Sequence, residues 1–403
     1  MQKRIFRPTR SLPINDNDAN MRTVCAHAAL TAQGIIRNPV IRLDGRRITD
    51  ISSYDPSQLD FMPGTEFHSG VIIPQMVNAH LHLELSYLRG AIPRGCGFAG
   101  FAAAMARTRG LFTLAQRLEA AEEADAAMRR EGIAFAGDIS NDDTSFAVKS
   151  VSGLHYHTFA EVFGLLSPSF KAAGRLLDYG ATLSPHSTYS LQDEPFRRVC
   201  SSDGDAPLSI HFMETPAERE LYHGRGALHD WYASQGWQCD FLHYGSPAER
   251  IAACVPPERS VMLVHCCCVG QRDIDIIMNH FTAPVYWVLC PRSNDYISGL
   301  KPDIGLLRRN GLNICIGTDS LASNDSLSLI EELKQLCCTP QDGDIPLSEA
   351  LQWVTANGAA ALGIGRGAAT IDVGNECDLA VVEGCDTDSG GGRLTSAARA
   401  HAI

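Results

Sequence analysis

Short apolar runs that alternate with longer amphipathic segments are the feature of this sequence that most restricts its fold. The runs are rich in Val, Ile and aromatic residues, as buried strands are, and the segments between them have helical spacing. Repeated strand and helix units favour an α/β protein with a parallel sheet. We predict eight such strands, near residues 71–78, 133–137, 158–163, 181–184, 208–212, 261–264, 285–289 and 313–317.

Eight strand and helix units over about 300 residues are typical of a (β/α)8 TIM barrel, which builds its active site at the carboxyl ends of its strands. The clearest helix covers residues 114–130, with Thr113 as N-cap and Gly132 as its stop, and residues 326–336 and 348–362 have similar patterns. The functional side chains should therefore follow the strands directly.

The two flanks of the chain have strand-and-turn patterns instead. Residues 34–51 contain Asp44-Gly45 between apolar runs, and residues 369–382 contain a turn at Gly374 before another apolar run. We predict that the two flanks pair into one small β module.

Composition excludes several classes of protein. The 34 basic and 46 acidic residues give a net charge of -12, which disfavours binding to nucleic acid. No apolar run approaches the roughly 18 residues that cross a bilayer, so we expect no membrane partner. The basic start, residues 1–10, is followed by polar residues rather than an apolar segment, so we expect a cytoplasmic protein without a secretory signal.

The 14 cysteines are spread over 403 residues and many lie in apolar runs, which predicts reduced, buried thiols rather than a disulfide scaffold. The adjacent Cys266, Cys267 and Cys268 lack the Cys-x-x-Cys spacing of a structural zinc site. We therefore do not expect a cysteine-based metal site.

Two histidines end the first predicted strand, in Asn78-Ala79-His80-Leu81-His82. Side chains two residues apart on a strand share a face, so both imidazoles can reach one ion. Taken alone, the pair is also compatible with two unrelated polar residues at the start of a loop.

Three further positions strengthen the metal interpretation because each follows another predicted strand: His211, His265 and Asp319. A barrel brings these strand ends together. Imidazoles and a carboxylate suit zinc, and also iron or manganese. Glu214 lies three residues after His211, where a carboxylate can shuttle protons, although an acid at a helix start is also common.

Six segments together resemble the amidohydrolase superfamily, in its branch of aminohydrolases and chlorohydrolases that act on nucleobase-like rings. They occur in family order over nearly the whole chain, at residues 74–82, 184–190, 211–215, 264–266, 290–294 and 317–324. The segments 82–86 and 217–220 are similar to those of the aminofutalosine deaminases. The resemblance implies a (β/α)8 barrel at residues 71–368 and a small β-sandwich domain built from residues 1–70 and 369–403.

The resemblance also implies the members of the site. One divalent metal, which we expect to be Zn²⁺ with Fe²⁺ or Mn²⁺ as alternatives, would be held by His80, His82, His211 and Asp319. The catalytic residues would be Glu214, which protonates a ring nitrogen, His265, which polarises the attacked centre or its water, and Asp319, which takes the water proton.

Substrate contacts are predicted from the same motifs. Glu84, two residues after His82, would accept hydrogen bonds from a ring N–H or amino group, or else is a solvated loop acid. His186 would face a purine edge or a ribose hydroxyl, and Asn294 and Ser320 are further candidates. Arg292 could offer its planar fork to an anionic substrate group or pair with a structural acid, and it departs from the family pattern, as does Gln75. The tail after Val382 is also short for the family.

We predict a metal-dependent aminohydrolase that replaces an exocyclic amino group of a purine-like or other heteroaromatic substrate with oxygen and releases ammonia. Alternatives are hydrolysis of another C–N, C–Cl or amide bond on the same scaffold, or a non-catalytic, metal-stabilised binding protein. The expected partner is a small-molecule substrate, and a homodimer is possible on family grounds.

Overall fold

Fifteen strands in the described part of the chain form three sheets. The structure, a computed structural model, describes residues 21–57, 64–202, 204–338, 345–387 and 392–403. In these residues the strands are β1 (Met21–Thr31), β2 (Gly34–Arg37), β3 (Pro39–Asp44), β4 (Arg47–Ser53), β5 (Thr65–Pro74), β6 (Met76–Leu81), β7 (Ile133–Ser140), β8 (His155–Val162), β9 (Thr182–Pro185), β10 (Leu208–Phe212), β11 (Val261–His265), β12 (Val285–Leu289), β13 (Asn313–Ile316), β14 (Leu379–Glu383) and β15 (Arg399–Ala402).

Helices follow most of the strands from β6 onward. Within the described residues they are α1 (Gly97–Thr108), α2 (Leu114–Glu131), α3 (Phe146–Val151), α4 (Phe170–Leu177), α5 (Asp193–Cys200), α6 (Pro216–Tyr222), α7 (Gly226–Ser234), α8 (Pro247–Cys254), α9 (Gln271–His280), α10 (Pro291–Ser298), α11 (Ile304–Arg309), α12 (Leu329–Cys337), α13 (Leu347–Trp353) and α14 (Ala356–Ala361).

Helix α2 begins and ends where the sequence predicts. Thr113 and Gln116 form a reciprocal capping box at its start, and Gly132 ends it with a φ of 92°, a left-handed conformation that glycine adopts without strain. The local signals and the fold agree at both ends of this helix.

Two of the sheets are parallel and have four strands each, in the orders β6-β7-β8-β9 and β10-β11-β12-β13. Their strands follow chain order, as expected when a crossover connects each strand to its neighbour. All five residues of each of β10, β11 and β12 are buried. Such continuously apolar strands are typical of a parallel sheet that is covered on both faces.

The edges of the two parallel sheets approach each other at the strand ends. A bridge joins Ser187 to His211, and another joins Leu81 to Asp319. Gly317 makes the second approach feasible, because a Cβ there would lie only 2.8 Å from the His80 carbonyl oxygen. The end of β6 therefore lies beside the end of β13, and the end of β9 lies beside the end of β10.

The third sheet combines both flanks of the chain. It has the order β15-β14-β5-β1-β3-β4, with β2 paired to β1. Strand β5 pairs in parallel with β1 and antiparallel with β14. Some of its buried side chains form a separate apolar cluster that includes Val24, Ile41, Ile72, Leu379 and Val381. The two flanking segments therefore pair in one sheet, as their patterns predict.

The predicted strand at residues 71–78 is two strands. Val71–Pro74 completes β5 in the terminal sheet, and β6 begins at Met76 in a parallel sheet. Between them the Gln75 amide donates to Asp378 and the Met76 amide donates to Gly132, so the chain changes partners here. Buried apolar residues lie on both sides of Gln75, at 71–74 and 76–77, which is why the sequence pattern does not separate the two strands.

The predicted helix at residues 348–362 is also divided, into α13 and α14. The Val354 carbonyl accepts a hydrogen bond from the Val77 amide of β6, 2.8 Å away. The Thr355 hydroxyl donates to the Leu351 carbonyl in the preceding turn, at 2.7 Å. A tertiary bond to β6 thus uses a carbonyl that a continuous helix would bond internally.

No disulfide joins the 14 cysteines, all of which lie in the described part of the chain. Within that part, none of the helices combines the length and apolarity that a bilayer crossing needs. The N-terminal residues 1–20, from which we expect the absence of a secretory signal, lie outside the described residues.

Candidate active site

His80 and His82 lie side by side at the end of β6. Both are buried, and their ring centroids are 5.1 Å apart. His80 is the penultimate residue of β6, and His82 follows the strand directly and precedes a 3-10 helix at residues 83–88. The two-residue spacing on a strand therefore directs both imidazoles into one space, as predicted.

His211 completes a group of three imidazoles. It lies in β10, and its ring centroid is 4.9 Å from that of His80 and 5.6 Å from that of His82. One potential ligand atom from each of the three histidines lies within 4.8 Å of the others. The His211 Nδ1 is 2.8 Å from the His186 carbonyl oxygen, so this nitrogen carries the proton and Nε2 is left with a lone pair.

Asp319 brings a carboxylate to these imidazoles. Its Oδ1 is 3.5 Å from His82 Nε2. The Ser320 amide donates to Oδ1 at 2.7 Å, and the Ser293 hydroxyl donates to Oδ2 at 2.6 Å. The Ser323 hydroxyl also bonds Oδ2, at 3.0 Å. The aspartate is thus held in one orientation by its neighbours.

His265 and Glu214 face each other beside the three imidazoles. The His265 Nε2 is 4.0 Å from Glu214 Oε1, and its ring centroid is 5.2 Å from that of His211. Its Nδ1 is 2.8 Å from Asn294 Oδ1, an acceptor, so Nδ1 donates and Nε2 faces the site as an acceptor. Asn294 therefore sets the tautomer of His265.

Backbone strain concentrates at this edge of the parallel sheets. Five described residues other than glycine have positive φ, and four of them are Met213 (52°), His265 (77°), Cys266 (56°) and Asp319 (55°). Left-handed conformations cost free energy at such residues and persist where the surroundings enforce them, often at functional sites. Each of these four adjoins or is a predicted site residue.

Burial keeps the histidines of the site neutral near pH 7. It lowers the pKa of His82 to about 3, that of His211 to about 4, and that of His80 well below the usual value. Burial alone would raise the pKa of Asp319, but His82, His265 and the Ser293 hydrogen bond lower it below its usual value. Neutral imidazoles and an ionised carboxylate are the forms that bind metal ions.

The donor set fits a divalent metal ion. The buried His80 Nε2 has no hydrogen-bond partner among the described residues, which is costly unless another group binds it. Three imidazole nitrogens with one carboxylate match the ligand types of zinc, iron and manganese sites. His80, His82, His211 and Asp319 are the residues that could hold the ion.

Glu214 is the candidate acid. Burial raises its pKa to about 7, an effect that nearby His211 opposes and Asp319 reinforces. A carboxyl group with a pKa near the working pH can both donate and accept a proton. Because Glu214 lies beside His265, it can exchange protons next to the candidate metal ligands.

The predicted substrate contacts have different surroundings. The His186 ring stacks on His211, with centroids 4.6 Å apart, and its Nδ1 is 3.0 Å from the Ser187 hydroxyl. Ser320 is buried next to Asp319. Asn294 has its oxygen on His265, while its Nδ2 is buried with no partner among the described residues.

Glu84 and Arg292 make many contacts within the protein. The Glu84 carboxylate accepts from the Asn141 amide at 2.9 Å, the Asn141 side chain at 3.1 Å and the Asp142 amide at 3.0 Å. The Arg292 Nε donates to Asn324 at 3.0 Å, and its guanidinium also lies near Asp325 and two glutamates of α12. Their roles toward a substrate stay predictions.

Sequence reasoning missed Glu161, Ser293 and Ser323. Glu161 is buried near the end of β8, with an oxygen 3.8 Å from His211 Nδ1. Its place on a predicted strand end was the available signal. Ser293 lies 26 residues before Asp319, so only the fold brings its hydroxyl to Oδ2, whereas Ser323 lies four residues after Asp319.

Replacing His211 with alanine is expected to weaken metal binding by at least about 10-fold, because one of the nitrogen donors is removed. Inductively coupled plasma mass spectrometry of the purified protein, followed by competition with a chelator, measures this. His223→Ala is the matched control, since that histidine is exposed after α6. Equal metal affinity in the His211 variant and wild type would contradict the assignment.

Proteins of similar sequence include deaminases. An adenosine deaminase of Helicobacter pylori is 26% identical over 355 residues, which cover 83% of this chain and 85% of that protein. A 5-methylthioadenosine/S-adenosylhomocysteine deaminase of Saccharophagus degradans is 28% identical over 207 residues, 49% of this chain and 42% of that protein. The latter match therefore spans less than half of that relative.

The fold is also that of a solved deaminase. The crystal structure of Helicobacter pylori aminofutalosine deaminase with methylthio-coformycin aligns with a TM-score of 0.75 and 24% identity, covering 90% of this chain and 92% of that one. Residues 71–399, which contain every site residue described above, match the family model described as "Amidohydrolase family". The chain therefore belongs to the amidohydrolase family.

Proposed function

We propose that this amidohydrolase is a metal-dependent aminohydrolase that replaces the exocyclic amino group of a purine-like nucleoside with oxygen and releases ammonia. The observation that carries the proposal is the meeting of His80, His82, His211 and Asp319 with a protonatable Glu214 beside His265. The deaminase names of the similar proteins support the same reaction.

We further propose that β6–β13 form a closed (β/α)8 barrel and that the flanks form a β-sandwich domain. The parallel order of both sheets and the bridges at Leu81 and Ser187 support closure. The seven-stranded sheet from both flanks supports the separate domain at residues 1–70 and 369–403, next to a barrel at 71–368, although β5 crosses the boundary.

The ion we propose is zinc, since imidazole and carboxylate ligands suit it. Bound zinc would supply an activated water nucleophile near neutral pH. Asp319, which is kept ionised by its neighbours, would accept a proton from a water molecule in this space. His265 directs its Nε2 lone pair to the same place, because Asn294 holds the proton on Nδ1.

Glu214 supplies the proton that the ring needs. Addition of water across the C–N bond requires protonation of the adjacent ring nitrogen, and loss of ammonia requires a further proton on the amino group. A carboxyl group with a pKa of about 7 can give the first proton to the ring nitrogen. Asp319 passes the water proton that it accepted to the leaving amino group, and Glu214 recovers the second water proton as the oxo group forms. The net reaction is substrate plus water to the oxo product plus ammonia.

His186 is a candidate for contact with the base of the substrate. It is only partly buried, its ring stacks on His211, and Ser187 bonds its Nδ1, so Nε2 remains to meet a purine edge. The unpartnered Asn294 Nδ2 and the Ser320 hydroxyl are further groups that a substrate can meet. We also propose, as the sequence motifs predict, that Glu84 and Arg292 contact the substrate.

The test is release of ammonia by the metal-loaded wild-type protein from a panel of substrates. The panel contains adenosine, 5-methylthioadenosine, S-adenosylhomocysteine and aminofutalosine, with guanine and an aminochlorotriazine as comparisons. We expect ammonia from at least one adenine nucleoside and no chloride from the triazine. Chloride release without ammonia would replace the proposal by the alternative hydrolase, and no release from any compound would contradict the proposed deamination.

A further inference from the structure

A buried carboxylate that the proposed mechanism does not use lies four residues after Glu214. Glu218 is in α6 and is 2% exposed. A buried carboxylate is costly unless hydrogen bonds satisfy its oxygens. The hydrogen-bond partners of the Glu218 carboxylate therefore identify the segments that this residue holds in place.

One oxygen of Glu218 holds the turn that leads to Glu214. Its Oε2 accepts from the Met213 amide at 2.6 Å. Met213 has a φ of 52°, a conformation that a side chain of its size rarely adopts without support. The direction in which the next residue, Glu214, leaves β10 depends on this strained peptide, so the bond from Glu218 fixes the origin of the Glu214 side chain.

The other oxygen holds a different loop. The Thr188 hydroxyl donates to Glu218 Oε1 in a short hydrogen bond. Thr188 belongs to the loop after β9 that begins with His186, whose ring stacks on His211. Glu218 therefore connects the loop of the candidate base-binding histidine with the turn of the candidate acid.

The loop is fixed from its far side as well. The Thr188 carbonyl accepts from the Tyr222 hydroxyl at 2.7 Å and from Arg250 Nη1 at 2.6 Å. Arg250 is fully buried between the rings of Phe196 and Phe241. Thr188 is thus held in a fixed position, and its hydrogen bond restricts the position of the Glu218 carboxylate as well.

We propose that Glu218 is a positioning residue, which fixes the distance between His186 on one loop and Glu214 on the next through paired hydrogen bonds to Thr188 and Met213. The inference rests on the proposed function, because the position of Glu214 matters to the rate only if Glu214 delivers a proton. Glu218 acts through Glu214 and does not itself transfer the proton. Displacing a catalytic group by about 1 Å costs about 100-fold in rate, so such a connection matters to turnover.

The experiment compares Glu218→Ala, Glu218→Gln and the control Glu220→Ala, a half-exposed glutamate of the same helix. Alanine removes both bonds and should lower kcat about 100-fold with unchanged metal content. Glutamine keeps both, since its oxygen accepts from Met213 and its amide donates to the Thr188 hydroxyl, and it should restore most of the lost kcat. Glu220→Ala should match wild type.

Either of two kinetic results would overturn the inference. A glutamine variant as slow as the alanine variant would mean that the charge of Glu218, and not its hydrogen bonds, matters. An alanine variant with the wild-type kcat would mean that the connection has no role. If the alanine variant does not fold, Thr188→Val removes one of the bonds, and a wild-type kcat in that variant has the same meaning.

Hydrogen exchange separates this inference from the proposed function. In the full chain without substrate, peptides covering residues 186–191 and 212–215 should exchange faster in Glu218→Ala than in Glu220→Ala, because the Met213 amide loses its acceptor. Absence of ammonia release by wild type would refute the proposed reaction while leaving this measurement intact. Unchanged exchange would refute the connection whatever the reaction.

Discussion

Replacing Asp319 with alanine should abolish turnover, with a loss of about 10³-fold or more, because one side chain is both a candidate metal ligand and the candidate base. Its Oδ1 lies 3.5 Å from His82 Nε2, and two serine hydroxyls and an amide hold it there. Ammonia release by the purified variant at a saturating metal concentration measures the loss. The saturating metal separates failure of chemistry from weak binding.

Asp319→Asn sharpens the same test. The amide has the same size and can keep one oxygen toward the serines, but it has no charge and cannot accept the water proton. We expect it to be as slow as the alanine variant. The control is Asp275→Ala, an exposed aspartate of α9, which should retain wild-type turnover. Substantial ammonia release by either Asp319 variant would remove that residue from the mechanism.

The residues at strand ends are the part of the site that the sequence predicts well. His211, His265 and Asp319 each follow a short apolar run, and parallel strands place such positions at one edge. The structure brings these three together with His80 and His82. The family match likewise confirms the resemblance to the amidohydrolases that the six motifs indicate. The position of a residue at the end of a strand depends on its neighbours in sequence, so it can be predicted from the sequence alone.

The groups that orient those residues are not predictable in the same way. Ser293 lies 26 residues before Asp319, and its hydroxyl reaches Oδ2 only because α10 packs against the loop after β13. Asn294 is predicted as a substrate contact, but its oxygen sets the His265 tautomer. The pairing of polar side chains depends on how the helices and strands pack against each other. Local sequence patterns do not predict that packing.

Interruptions of regular structure follow the same rule. Apolar, buried residues lie on both sides of Gln75, so the pattern predicts one strand and does not reveal the change of sheet. The break between α13 and α14 depends on a hydrogen bond to β6. Both differences arise from bonds between distant segments, whereas the capped ends of α2 depend on neighbours in sequence and are predicted correctly.

Glu214→Gln should slow ammonia release by about 10²-fold or more while leaving metal content unchanged, because glutamine fills the same space but cannot give a proton. The pH profile supplies the sharper evidence. Burial raises the pKa of Glu214 to about 7, so the acid form that donates the proton predominates below pH 7 and is lost as the pH rises. Wild-type kcat should therefore fall above about pH 7, and the glutamine variant should lack that decline.

The combination of rate and pH profile distinguishes a proton donor from a residue that only shapes the pocket. A pocket residue would lower kcat at all pH values and leave the alkaline decline in place, since the titrating group would be elsewhere. His265, 4.0 Å away, is the nearest alternative source of such a decline. Burial lowers its pKa, however, so its charged form is lost on the acid side of neutrality. A decline above pH 7 that persists in Glu214→Gln would therefore assign proton delivery to another residue.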